Sequence, residues 1–152
     1  MAKTRIRDVT LSLDTSAYAN ADLLADNQTI SGLFNVADGT GLIRSLVVID
    51  TNEQTLYTFS VYFLSGTGSM GSENSAPSAT DAVAQTILAR VDFATTDGVD
   101  VGGSMVYCKS GLSIPVKAIT GTADLGIATV CITGTPTHTA AGVIVRVGIE
   151  LD

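Results

Sequence analysis

Apolar residues recur at every second position over most of this chain, and that spacing confines it to β structure. The last segment is the cleanest case: Ala141, Val143, Val145, Val147, Ile149 and Leu151 alternate with other residues. A period of two sends successive side chains to opposite faces of a strand, so such a run lays one apolar face on a core. Val9, Leu11 and Leu13 repeat the pattern near the start, with Thr10 and Ser12 on the opposite face. Ile6 is out of step with them, which predicts a bulge or irregular lead-in near Arg7-Asp8.

Between these ends the pattern predicts a run of strands. Ala17 to Asp26 mixes helix-favouring alanines with Asn20 and reads as irregular. A strand over Gln28 to Val36 ends at Asp38-Gly39, a turn in which glycine supplies the positive φ. Gly41 to Asp50 and Thr55 to Ser65, joined by Thr51-Asn52-Glu53-Gln54, read as a hairpin, with Tyr57, Phe59, Val61 and Phe63 on its core face. Gly66 to Ala79, rich in Gly, Ser and Asn, is a long surface loop, and long loops in compact domains tend to be functional. Ser78-Ala79-Thr80-Asp81 reads as a capping box opening one short helix over Thr80 to Ala89, carried by Val83, Ala84, Ile87, Leu88 and Val91. Strands resume over Arg90 to Thr95, then over Val99 to Lys109 with a bend or bulge at Gly102-Gly103, and over Ser113 to Ile119, where Pro115 suits an edge or a strand start. Leu125 to Thr133 is apolar on both faces and belongs in the middle of a sheet. No strand–helix–strand rhythm appears, so the expected fold is all-β: an antiparallel, jelly-roll-like β-sandwich with one short helix. The expected organisation is a single domain over 1–152, with 1–8 as an extended N-terminal arm.

With 152 residues, 45% of them hydrophobic and 15% charged, the chain can bury a core without metal or disulfide staples. Its mean hydropathy is positive, +0.37. Even so, runs such as Leu46-Val47-Val48-Ile49 fall far short of the roughly 20 residues of a spanning helix. Lys3, Arg5 and Arg7 near the start have no apolar segment after them, which predicts a chain made and kept without signal-peptide export. A net charge of −7 argues against nucleic acid as a partner, because phosphate contacts need clustered Lys and Arg.

Residues that could carry chemistry are few and poorly grouped. Cys108 and Cys131 lie on separate strands without a C-x-x-C, so they read as reduced, small hydrophobes. Gly66-Thr67-Gly68-Ser69-Met70-Gly71 matches G-x-G-x-x-G, but Pro77 and polar residues separate it from any helix, and a cofactor is not expected. His138, the one histidine, sits between Thr137 and Thr139 and reads as an exposed turn residue with no nucleophile signature beside it. Asp22 with Asp26, and Asp97 with Asp100, match no calcium loop and read as solvated. Sugar stacking would need exposed aromatics, for which Tyr18, Tyr62 and Tyr107 are the candidates. No catalytic residue, cofactor or metal ligand is expected.

Four stretches carry a resemblance. They are Ala37 to Asp50 (ADGTGLIRSLVVID) followed by Tyr62-Phe63-Leu64, then Gly71 to Ala82 (GSENSAPSATDA), and finally Gly134 to Gly142 (GTPTHTAAG) with the apolar strand after it. In pattern and order this series resembles the head decoration, or cement, proteins of tailed bacteriophages, small virion proteins with a jelly-roll-like fold. The resemblance implies a non-enzymatic homotrimer, made in the host cytoplasm, that sits on the outer capsid surface and braces the major capsid protein. It implies no membrane and no nucleic-acid partner. The expected contacts are the basic Lys3, Arg5 and Arg7 together with Ser69, Met70, Glu73 and Asn74 of the long loop. A virion adsorption or carbohydrate-binding sandwich is the alternative.

Overall fold

The computed structural model describes residues 3–152. In chain order they form β1 (Lys3–Thr10), β2 (Leu23–Ile30), β3 (Thr40–Asp50), β4 (Thr58–Leu64), α1 (Asp81–Ala84), β5 (Ile87–Phe93), β6 (Gly98–Asp100), β7 (Met105–Lys117), β8 (Leu125–Thr133) and β9 (Val143–Leu151). A five-stranded sheet in the order β1-β9-β3-β7-β6 faces a four-stranded sheet in the order β2-β8-β4-β5, and every pairing is antiparallel. Successive strands cross from one sheet to the other, except within β4–β5 and β6–β7, so strands from the two ends of the chain interleave in both sheets. This is the order of a jelly roll.

The core lies between the sheets. Ile43, Leu46 and Val48 of β3 and Val145, Val147 and Ile149 of β9 meet Phe59, Val61 and Phe63 of β4 and Leu125 and Ile127 of β8, all of them buried. Phe59 stacks on Phe93 with ring centroids 4.9 Å apart, and Tyr107 meets Phe59 edge-on at the same distance. The four-stranded sheet is covered on its other face too, where Leu23, Leu64, Met70 and Ala128 form a second buried cluster with Val83 packed against it. That double covering is why β8 is apolar on both faces. As its residues predict, β8 sits inside its sheet, between β2 and β4.

Several local expectations are corrected. The strands over 41–50 and 55–65 do not form a hairpin, because β3 and β4 belong to different sheets and the 51–57 segment crosses between them. The helix spans only Asp81–Ala84, capped by the Thr80 side chain accepting from the Val83 N–H. Ile87 to Ala89 pair with Leu64 and Phe63 as strand, because β4 offers them a backbone ladder on its free side. The stretch 99–109 is a true hairpin turning at Gly102-Gly103, and β7 then runs unbroken through Pro115 along an edge. Its irregularity lies instead at Gly111, where φ is +69° and three residues of β7 bulge opposite Arg44. The 28–36 strand lies earlier, as β2. At the Asp38-Gly39 turn it is Asp38 that takes the positive φ, +56°. Glycine is needed at 39 for another reason: a Cβ there would stand 2.9 Å from Phe34 Cβ.

β1 pairs with β9 from Lys3 to Thr10 without any register shift, so no bulge occurs near Arg7-Asp8. Ile6 breaks parity simply because it lies on the solvent face, 63% exposed. Residues 3–8 are therefore a paired edge strand, not a free arm.

Candidate functional site

The expected contact residues fall in two places, the outer edge of β1 and the loop over 66–79. On β1, Lys3, Arg5 and Arg7 lie opposite Leu151, Ile149 and Val147, so all three share the core-side face at the margin of the sandwich. Arg5 is already engaged. Its guanidinium donates to the Gly32 and Phe34 carbonyls at 2.7 and 2.8 Å and to Asn35 Oδ1 at 2.5 Å, stapling the 31–35 turn. Those acceptors are neutral, so its charge stays uncompensated. Four other basic residues, Arg44, Arg90, Lys109 and Arg146, each pair with a carboxylate. Among the described residues Lys3, Arg5, Arg7 and Lys117 have no such partner, and the first three lie together on β1.

The 66–79 loop is bound along its length to the edge of β2. Asp26 accepts from the Met70 N–H and the Ser69 hydroxyl, both at 2.6 Å, and Asn27 donates to the Gly66 and Gly68 carbonyls at 2.8 and 2.9 Å. Leu23 N–H donates to Ser75 O and Asn74 N–H to Leu23 O, so the loop prolongs the sheet for a residue pair. Met70 is buried, only 4% exposed, as an apolar anchor beneath the loop. Its expected role as a partner contact is thereby corrected. Ser69 and Asn74 spend their side chains on Asp26 and Asp14, and Glu73 Oε1 accepts from the Asp26 N–H at 3.5 Å. The glycine-rich match at 66–71 belongs to this clamp.

His138 is not an exposed turn residue. It is buried, 3% exposed, where the 51–57 and 134–142 crossings meet at one end of the sandwich. Nε2 and the Tyr57 hydroxyl hydrogen-bond at 3.0 Å, and Nδ1 stands 3.4 Å from Asp50 Oδ1, off hydrogen-bond alignment. Asp50, itself buried, accepts from the Asn52 and Gln54 N–H groups, while the Thr137 and Thr139 N–H groups donate to the Gln54 and Asn52 side chains. Burial pushes the Tyr57 hydroxyl well above the ordinary phenol range, with the Asp50 charge adding to it. Asp50, His138 and Tyr57 thus follow one another as in a proton relay, yet they are sealed from solvent and bind two loops together. The sequence signal that could have found this was Asp50 ending an otherwise apolar strand.

Tyr18 and Tyr107 are core residues, each 1% exposed, which leaves only the half-buried Tyr62 of the three aromatics named for sugar stacking. The paired acids are turn caps: Asp22 accepts from the Ala19 N–H, Asp97 from Ala94 and Asp100 from Gly102, each at 2.7 Å. Cys108 is exposed and Cys131 buried, and both are free thiols.

No protein-family model and no curated protein matches the chain. Among solved structures it aligns with Desmodium yellow mottle tymovirus at 13% identity, covering 99% of this chain and 87% of that one, with a TM-score of 0.30. Turnip yellow mosaic virus aligns at 10% identity over 99% and 93% of the two chains, also at 0.30. Israeli acute paralysis virus aligns at 9% over 99% and 71%, at 0.35. Overlays this loose carry no argument about what the chain does. The jelly roll rests on its own strand order.

Proposed function

We propose that this chain is a structural protein of a virus particle: a decoration protein that binds the outside of a tailed-phage head and braces neighbouring major capsid subunits. The resemblance of its sequence to head decoration proteins carries this reading. The stretches that bear it are the ones that frame the sandwich, namely β3, the end of β4, the loop clamped over β2 and the crossing that holds His138. A brace has to transmit load without yielding, and here the long loop and both crossings at the His138 end are tied down by hydrogen bonds. The role is non-catalytic and the working form a homotrimer at local three-fold axes, where linked copies engage several shell subunits and gain avidity.

The test is reconstitution. Particles assembled without the chain are mixed with purified protein, pelleted and imaged. The reading expects saturable co-sedimentation and added density on the outer surface around local three-fold axes. Failure to pellet with particles at saturating protein refutes it, and a monomer in that density removes the trimer.

A further inference from the structure

Three of the four sheet edges are blunted or covered, and one is bare. The β2 edge lies under the 66–79 loop. β5 runs beside β7, where Lys109 pairs with Asp97 and sits over the Phe93 ring. Past the short β6, the β7 edge carries Lys109, the Gly111 bulge and Pro115, which has no N–H to offer. β1 has no covering segment, no bulge and no proline. Its eight residues run in unbroken register, with no proline or glycine, and end in the exposed Ile6 side chain and three uncompensated cations.

The direction of its free backbone groups follows from the ladder. Leu11 N–H donates to Val143 O, so the odd-numbered residues of β1 bond with β9 and the even-numbered ones turn their N–H and C=O outward. In agreement, the outward Thr10 carbonyl is taken by the Gln28 side chain, and the Ile6 carbonyl has only Arg7 at 3.5 Å. Among the described residues, the backbone groups of Thr4 and Asp8 and the N–H of Ile6 have no protein partner on that side.

We infer that the outer edge of β1 is a docking site for an extended acidic segment of a partner protein, which adds to the five-stranded sheet as a further strand. A strand laid antiparallel there would hydrogen-bond with Thr4, Ile6 and Asp8. Its alternate residues would stand opposite Lys3, Arg5 and Arg7 in the non-hydrogen-bonded pairs, where facing side chains come closest. Asp or Glu at those alternate positions meets three like-signed cations on one face, on a molecule whose net charge is −7. A second copy of β1 fits badly, because the same register sets Lys and Arg against Lys and Arg. The inference rests on the virion reading for where such a segment comes from, the surface of the shell.

The variant to use is Ile6→Pro. It deletes one outward N–H and leaves the β9 ladder intact, since residue 6 donates nothing to it. Deletion through Arg7 is unsuitable because it strips paired residues from the sheet. The probe is a short capped peptide alternating glutamate with threonine, titrated into the full chain and followed by amide NMR shifts. Expected are shifts centred on Thr4, Ile6 and Asp8 that weaken with salt, at least a ~tenfold loss of affinity in Ile6→Pro at unchanged melting temperature, and none with a lysine–threonine peptide. Shifts elsewhere, no shifts, or equal binding by Ile6→Pro overturn the inference. So does a concentration-dependent dimer of the free chain that Ile6→Pro dissolves. Wild-type decoration of particles that Ile6→Pro retains in full sinks the edge and spares the virion reading; peptide binding without decoration does the reverse.

Discussion

Replacing His138 with alanine separates a buried tie from an exposed turn residue, because the two differ several-fold in cost. The Tyr57 hydroxyl has His138 as its hydrogen-bond partner, at 3.0 Å and out of contact with water. Stranding a buried hydroxyl costs about 1–3 kcal/mol. The vacated ring adds a cavity beside Tyr18 and Tyr57, whose rings lie 6.3 and 5.8 Å from it. Asp50 loses the imidazole that stands 3.4 Å from its Oδ1 but keeps the Asn52 and Gln54 N–H groups. Together these put His138→Ala at about 3 kcal/mol. At about 2–4 °C per kcal/mol for a domain of this size, the melting temperature falls by about 6–12 °C. A surface turn residue would move it by about 1–2 °C, since such changes stay within about 0.5 kcal/mol. Calorimetry at neutral pH on His138→Ala, Tyr57→Phe and the double variant closes a cycle, whose coupling should be about 1 kcal/mol or more. A drop below ~2 °C for His138→Ala, or additive single effects, refutes the tie.

Asp26→Ala should free the 66–79 loop without unfolding the sandwich: hydrogen exchange at Met70 and Asn74 speeds up while β9 amides stay protected, and unchanged exchange would mean the carboxylate is not the clamp. Acid should weaken the fold. Hydrogen bonds from Arg146 to Asp8, from Arg90 to Asp92 and from the Ala94 N–H to Asp97 hold these carboxyls below the usual range. Their contribution is complete above the unfolded carboxylate pKa of about 4 and is lost as pH falls through the lower folded values, so melting temperature should decline below about pH 5 and Asp8→Asn should flatten that decline. In the native protein an alkylating reagent should add once, at the exposed Cys108; burial pushes the Cys131 thiol up to about 11, so a second adduct on intact protein by mass spectrometry would contradict its place in the core.

The alternation of β9, the double-sided apolarity of β8 and the edge proline of β7 were all legible in the residues, because a period of two and a missing N–H are local properties. Local patterning alone settled an all-β antiparallel chain and most of its core-facing side chains. It could not choose strand partners. β3 and β4 read as a hairpin because they are adjacent and apolar, yet each pairs with strands from the far end of the chain. Ile87 to Ala89 continue a helical spacing and became strand only because β4 offered them a ladder. The burial of His138 and Met70, and the engagement of Arg5 and Ser69, were likewise decided by residues distant in sequence: Asp50 and Tyr57, the outer face of the four-stranded sheet, the 31–35 turn and Asp26. A polar side chain in a loop is free or spent according to what the fold carries up to it, and no spacing along the chain records that distance.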